Sequence, residues 1–424
     1  MRFSIVRSIA GLLFFLASVP QASSNQDWSR WRGNEGTAHW ATGILPSNLS
    51  EAQPANLWRL DSGKGYGGVT VANERVYVLD RLIQPLEVER IRCFDATSGK
   101  VIWQHEWDVQ YGKMGGYSTG PRTSVLLHVV EGTLNAYALG ATGQLHCFRA
   151  EDGDKQWSVD TVKAYDAKIP QWGFAASPVI LKDKLWIHVG AENGTTLALN
   201  PATGKETLRG GRDEAGYCTP ELVTIHGVEQ IIQWGPNHLM ALDPGSGRQL
   251  WSYPYKITYG VSIAQPLIIE DTLLVSGYWH GTKTLRLNSD MQPSLVWENE
   301  KDICGLMSSP LYKDGYVYLL DKTHGLTCFT LAEGNILWRD NNQLTPKDRN
   351  PHFSLVWMNR ADDLAALLNA SGELVYVKIT PSGVEEIARH QVIDKTWAHP
   401  AFVGNRLFAR SDTQVTAWEL WPAQ

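Results

Sequence analysis

One short unit returns along this chain, and its spacing dictates the architecture. "RCFDATSGKVIW" (92–103) reads as a strand, a tight turn and a second strand closing on a large apolar residue. Close copies are "HCFRAEDGDKQW" (146–157), "LALNPATGKETL" (197–208), "MALDPGSGRQLW" (240–251) and "TCFTLAEGNILW" (327–338). Weaker copies are "LRLNSDMQPSLVW" (285–297) and "VYVKITPSGVEEI" (375–387). Gly99, Gly153, Gly204, Gly247, Gly334 and Gly383 stand where a tight hairpin needs left-handed backbone. Asp95, Asn200 and Asp243 can accept hydrogen bonds from the amides of the same turns.

The closing positions are Trp58, Trp103, Trp157, Leu208, Trp251, Trp297, Trp338 and Ile387, at intervals of 45, 54, 51, 43, 46, 41 and 49 residues. Such an interval holds four strands of about 5–6 residues with their turns. A second block precedes each hairpin, as in "AASPVILKDKLWIHVG" (175–190) and "MSSPLYKDGYVYLLD" (307–321), and supplies the inner two strands. Four-stranded sheets repeated at this period specify an all-β fold, a β-propeller of antiparallel blades with strands A to D from the centre outward. The closing tryptophans then read as core, each able to bury ~150–250 Å² between neighbouring blades while its N–H finds a carbonyl.

The ends count the blades. Trp58 in "ANLWRL" is an outermost strand with no partner before it, and "QVTAWEL" (414–420) is a third strand with only "WPAQ" behind it. Pairing the two closes the ring and removes exposed edges. The expectation is eight blades over residues 53–424, with seven as the alternative because the 352–387 blade carries the weakest repeat.

These hairpins resemble the pyrroloquinoline-quinone-type propeller repeat, with its Ala-x-Asp-x-x-Thr-Gly-Lys-x-x-Trp pattern, over nearly the whole chain from residue 53. "DWSRWRGNEGTAHW" (27–40) with "LP" at 45–46 is similar to the N-terminal signature of exported PQQ-binding-like repeat proteins. The resemblance leaves two activities open. Quinoprotein alcohol dehydrogenases hold the quinone beside a vicinal disulfide and a calcium ion. This chain has no adjacent cysteines, and no calcium-ligand triad can be assigned to its positions. The outer-membrane assembly factor is a non-catalytic eight-bladed scaffold of similar length, normally lipidated on a cysteine.

Residues 1–24 read as an export signal, with Arg2 and Arg7 ahead of the apolar "IAGLLFFLASV" and small residues at Ala22-Ser23-Ser24. Val19 follows Leu16-Ala17-Ser18 where a lipoprotein would carry cysteine, so the expectation is a soluble periplasmic or secreted protein with no membrane anchor after cleavage. Residues 25–52 form an N-terminal extension. Cleavage would change the net charge from −6 to −6 − 2 = −8, and no basic run occurs, which argues against nucleic acid as a partner. Cys93, Cys147, Cys218, Cys304 and Cys328 are odd in number, and three share one repeat position, so they read as buried free thiols rather than disulfides. Nothing in their spacing, or in that of the histidines, forms a metal site.

Candidate binding residues fall in the loops that enter each innermost strand, at the mouth of the central channel. Tyr66, Tyr117, Trp172, Phe174, Tyr217, Tyr259, Phe353 and Trp397 supply rings, and Lys113, Arg122 and Lys168 supply cations, with Asp166, Asp394 and His399 nearby. They describe an aromatic, partly cationic funnel for a planar anionic ligand or an extended peptide, although the same rings could simply cap the blades. "GYSTG" (116–120) has nucleophile-elbow spacing, but a strand rather than a helix follows, so Ser118 is not read as a nucleophile. The expectation is therefore a monomeric, non-catalytic binding or scaffold module of the cell envelope, with an envelope protein or a small ligand at the loop face. The alternative is a divergent quinoprotein dehydrogenase using PQQ and calcium.

Overall fold

The computed structural model describes residues 27–112, 114, 119–191 and 193–422. The leader at 1–24 and the candidates Lys113, Tyr117 and Ser118 lie outside them. Eight four-stranded antiparallel sheets make up the fold, and the only α-helix among the described residues is the short Thr161–Tyr165. Seven blades run in chain order: 70–108, 126–160, 179–210, 221–254, 267–299, 311–339 and 353–391. The eighth joins Ala401–Val403, Arg406–Arg410 and Gln414–Glu419 to Ala55–Asp61, the first strand of the chain. The expected ring closure and the count of eight both hold.

Strand composition follows radial position. Strands with sheets on both faces read as continuous apolar or small-residue runs, as in the fully buried Gly194–Leu199. Outermost strands such as Val101–Asp108 have one wet face and alternate.

The closing tryptophans form the seams between blades. Trp58 Nε1 donates to the Ala96 carbonyl of the next blade at 3.0 Å, Trp103 to Ala150 at 3.0 Å, Trp157 to Pro201 at 3.0 Å, and Trp297 to Leu331 at 2.8 Å. Each indole lies against the glycine three residues after its acceptor, so the glycine has two reasons to be there. Gly99 and Gly153 have φ of +71° and +77°, and a methyl on either would come within 2.8 Å or 2.6 Å of the Trp58 or Trp103 ring. Asp95 Oδ1 completes the turn by accepting the Ser98 amide at 2.7 Å. A register shift at Cys93/Phe94, repeated at Cys147/Phe148 and Cys328/Phe329, turns the outer strand so that its tryptophan faces the seam.

The weak repeats depart from this scheme. Trp251 faces a hairpin without the glycine, and its N–H goes instead to Gln230 Oε1 of its own blade at 2.6 Å. Trp338 still reaches the next blade, at the Thr380 carbonyl (2.9 Å). Gly383, expected in a left-handed turn, has φ +154° with open space around it and is paired with Thr380, so the chain turns at 381–382 instead. Trp58, Trp103 and Trp251 are buried, whereas Trp157, Trp297 and Trp338 are half-buried.

All five cysteines are free and buried. Burial pushes the Cys93, Cys147 and Cys328 thiols up to about 12, which makes them apolar filling.

Residues 27–40 enter the central channel and stop it. Trp28 and Val71 exchange backbone hydrogen bonds (2.8 and 2.9 Å), and Ser29 accepts from the Leu127 amide (2.8 Å). Farther along, Trp40 N donates to Trp357 O and Ala38 accepts from Trp357 N, while Trp40 Nε1 donates to Gly404 O at 2.9 Å. These contacts use the inner edges of blades 1, 2, 7 and 8, which would otherwise face an open channel. Trp28 and Trp40 are buried, and Trp40 stacks on Phe402 with ring centres 4.5 Å apart. Arg30 and Arg32 approach Glu221, a half-buried carboxylate that accepts from Gln265 Nε2 at 2.8 Å. Burial raises the Glu221 pKa, and the two guanidinium groups oppose that shift. No helix among the described residues is long and apolar enough to cross a membrane.

Candidate functional site

Above the plug, the loops leading into all eight innermost strands surround a cup of about 420 Å³. Tyr66, Arg122, Trp172, Tyr217, Tyr259, Trp397 and His399 all line it, so seven of the fourteen candidates meet in one cavity. Lys113 and Tyr117 fall outside the described residues. Phe174 and Phe353 do not belong to the cup. Phe174 is wholly buried among the residues of blades 2 and 3, and Phe353 opens the innermost strand Phe353–Asn359, which turns its ring into the core. Asp166 caps the short helix in a left-handed conformation, and neither it, Lys168 nor Asp394 reaches the cup.

The rings stand in two arcs. On one side Tyr66 stacks on Trp397 at 5.5 Å, and the Arg122 guanidinium lies 5.4 Å over the Tyr66 ring. Arg122 Nη1 also donates to Gly120 O at 2.9 Å, which fixes the head group. Burial lowers its pKa while nearby tyrosines and Glu89 oppose the shift. On the other side Trp172 meets Tyr217 at 6.2 Å and Tyr259 at 6.3 Å, and Tyr259 meets Trp279 at 5.3 Å. Tyr259 is 60% exposed and holds φ +60°, a conformation that costs a non-glycine residue about 1 kcal/mol or more. Trp279 is 39% exposed.

Several lining residues were not signalled in the sequence. Trp279 comes from the turn between the second and third strands of blade 5, not from an entry loop. Trp31 comes from the channel plug and forms the floor, edge-on to His399 at 5.5 Å. Arg349, Asn350 and His352 complete the blade 7 side. His352 is buried, and desolvation pulls its pKa to about 4, so it is neutral at pH 7. His399 is driven down by the same cause, with His352 and Arg32 adding to it.

The titratable groups of the cup's described wall are histidines, tyrosines and arginines. None of its described lining residues is Asp or Glu. Among the described residues no three His, Cys, Asp or Glu come together as a metal-ion site. Calcium is held by oxygen ligands, usually with carboxylates among them, and the described wall carries no carboxylate, so the described residues do not fit a calcium-assisted quinone centre.

Comparison with known proteins agrees with this architecture. The family model described as "Outer membrane protein assembly factor BamB" matches residues 87–340. The outer membrane protein assembly factor BamB of Moranella endobia is 21% identical over 395 residues, spanning 87% of this chain and 90% of that protein. Among solved structures, BamB from Moraxella catarrhalis aligns with a TM-score of 0.59 at 15% identity, over 88% of this chain and 99% of that one. The quinohemoprotein alcohol dehydrogenase of Comamonas testosteroni aligns with a TM-score of 0.63 at 13% identity, over 94% of this chain and 81% of that one. At such identities the structural likenesses concern the fold. With more than half its length inside that family model and all eight blades built on the repeat, the chain belongs to the outer membrane protein assembly factor BamB family.

Proposed function

We propose that this protein is exported by its leader at 1–24 and acts, as a soluble monomer, as a non-catalytic scaffold of the cell envelope that holds a partner protein of outer-membrane assembly at its loop face. The observation that carries this reading is the cup and its rim. All eight entry loops converge on a surface rich in Trp and Tyr with two arginines and no carboxylate among its described lining residues. Exposed aromatic and arginine side chains are the usual anchors of protein interfaces. Membership of the assembly-factor family supports the same role.

The test is co-purification of the tagged, full-length protein with the outer-membrane assembly machinery, compared between wild type and the rim double variant Tyr259→Ala/Trp279→Ala. Loss of the partner in a variant that melts normally supports the proposal. Dye-linked alcohol oxidation that depends on added PQQ and calcium, with saturable thermal stabilisation by both, would overturn it in favour of a dehydrogenase.

A further inference from the structure

The neutral hydrogen-bonding groups of the cup are biased towards donors. Indoles elsewhere in the fold spend their N–H on a carbonyl, as Trp40, Trp58 and Trp103 do. Trp31, Trp172 and Trp279 line the cup, none of them is buried, and no described residue accepts from their indole N–H. The hydroxyl oxygens of the wall are already in use as acceptors. Ser177 Oγ takes the Ser124 amide and Thr219 Oγ1 the Ser177 amide, both at 3.0 Å, and Tyr217 Oη takes the Trp172 amide at 3.4 Å. Each of these hydroxyls still carries a proton to donate. The side-chain amides of Gln171 and Asn350 bring both kinds of group and leave the balance unchanged. The Glu89 carboxylate acts on Arg122, so the bias rests on neutral donors and calls for no anion.

We infer that the cup receives a proline-rich segment of a protein in polyproline II conformation, its rings against the two aromatic arcs and its carbonyls accepting from the spare indole N–H groups. A proline residue supplies a carbonyl and no N–H, together with an apolar ring of the kind that aromatic-lined grooves bind. The polyproline II helix exists before binding, so less chain entropy is lost on docking. One turn of it, three residues over about 9 Å, suits a cup of about 420 Å³. A strand of ordinary residues would bring an N–H at every position to a wall whose hydroxyl oxygens already serve amides. A sugar would bring several hydroxyl donors to the same shortage, against rings that satisfy none of them. The inference rests on the loop-face reading proposed above and deepens it, since it names the chemistry that the docked protein inserts.

The probe is an acetylated nonaproline amide carrying fluorescein on a short spacer, titrated with the full-length exported protein and followed by fluorescence anisotropy. A labelled glycine–serine peptide of the same length is the control. The expected result is saturable binding of nonaproline at least tenfold tighter than the control and no displacement by cellohexaose. Replacing indole by phenyl keeps a ring and removes the N–H, so Trp172→Phe/Trp279→Phe should weaken nonaproline at least tenfold in a protein that melts normally. Should that pair fail to fold, Trp279→Phe alone, at the exposed rim, should weaken it at least threefold. Equal affinity for the two peptides, binding of neither, displacement by cellohexaose, or full affinity in the folded phenyl variants would overturn the inference. Those failures alongside intact partner co-purification remove the proline-rich ligand and leave the scaffold. Proline-selective binding with no assembly partner recovered keeps the ligand and removes the envelope role.

Discussion

Gly153→Ala isolates the inter-blade seam as a measurable energy. Gly153 has φ +77°, and an added methyl would lie 2.6 Å from the Trp103 ring. Gly132, in the inner hairpin of the same blade, has φ +80° with nothing within 4 Å of the added methyl. Placing alanine in left-handed backbone costs about 1 kcal/mol at either site. At Gly132 that is the whole cost. At Gly153 the methyl must also displace the indole, an overpacking cost of about 1–3 kcal/mol. If the ring moves, its N–H loses the Ala150 carbonyl now 3.0 Å away, and a buried unpaired donor costs about 1–3 kcal/mol more. Gly153→Ala should therefore destabilise by about 3–7 kcal/mol and Gly132→Ala by about 1. Urea unfolding followed by tryptophan fluorescence and circular dichroism measures both, provided each variant keeps one cooperative transition. The double variant Gly153→Ala/Trp103→Leu should lose about 1–2 kcal/mol less than the sum of its singles, since the smaller side chain makes room for the methyl. Equal losses at the two glycines, or strict additivity in the double, would refute the account of glycine as a bed for the indole.

Ring closure predicts that removing Ala55–Asp61 opens the propeller and lowers its melting temperature sharply. Trp58→Ala should cost about 3–5 kcal/mol, and an unchanged melting temperature in the deletion would contradict closure. The buried histidines predict an acid sensitivity. His146, His188 and His352 are held near pKa 4 by burial, so on acidification the unfolded chain takes up protons first. Stability should fall from pH 7 towards pH 4, by about 2 kcal/mol per residue at pH 5, and His146→Leu should flatten the slope measured by denaturation at the two pH values. The five thiols should resist an aromatic disulfide reagent in the native protein and react together after unfolding, and rapid native labelling would contradict their burial.

The hairpin repeat made the blades, their number and the closing strand legible, because strand length and turn chemistry are local properties of the sequence. What the repeat could not reveal was contact across it. Gly99 read as a turn residue, and only the neighbouring blade shows that the Trp58 ring also requires it. The seven candidates that meet in the cup were found because entry loops of a propeller must converge on its axis. Trp279 escaped that logic because its turn lies on the other hairpin, and Trp31 because no period places a segment preceding the first blade. Phe174 and Phe353 were misassigned for the opposite reason: an aromatic near the start of an inner strand faces the axis or the core according to a rotation of a single residue.

The plug sets the order in which this protein can be finished. Trp40 hydrogen-bonds a carbonyl 364 residues later in the chain, and Trp58 lies in a strand whose partner is the last one made. A chain emerging amino-end first must keep the Trp40 end of its head unattached through nearly the whole of synthesis. Contacts of such sequence separation form late and slowly. The Ala38–Trp40 end can settle into the hub only when blades 7 and 8 exist, so the plug is completed in the last act of folding. A chain cut short before residue 401 would carry intact blades and a head half secured, and a protease that cleaves the loose half would distinguish it from the finished ring.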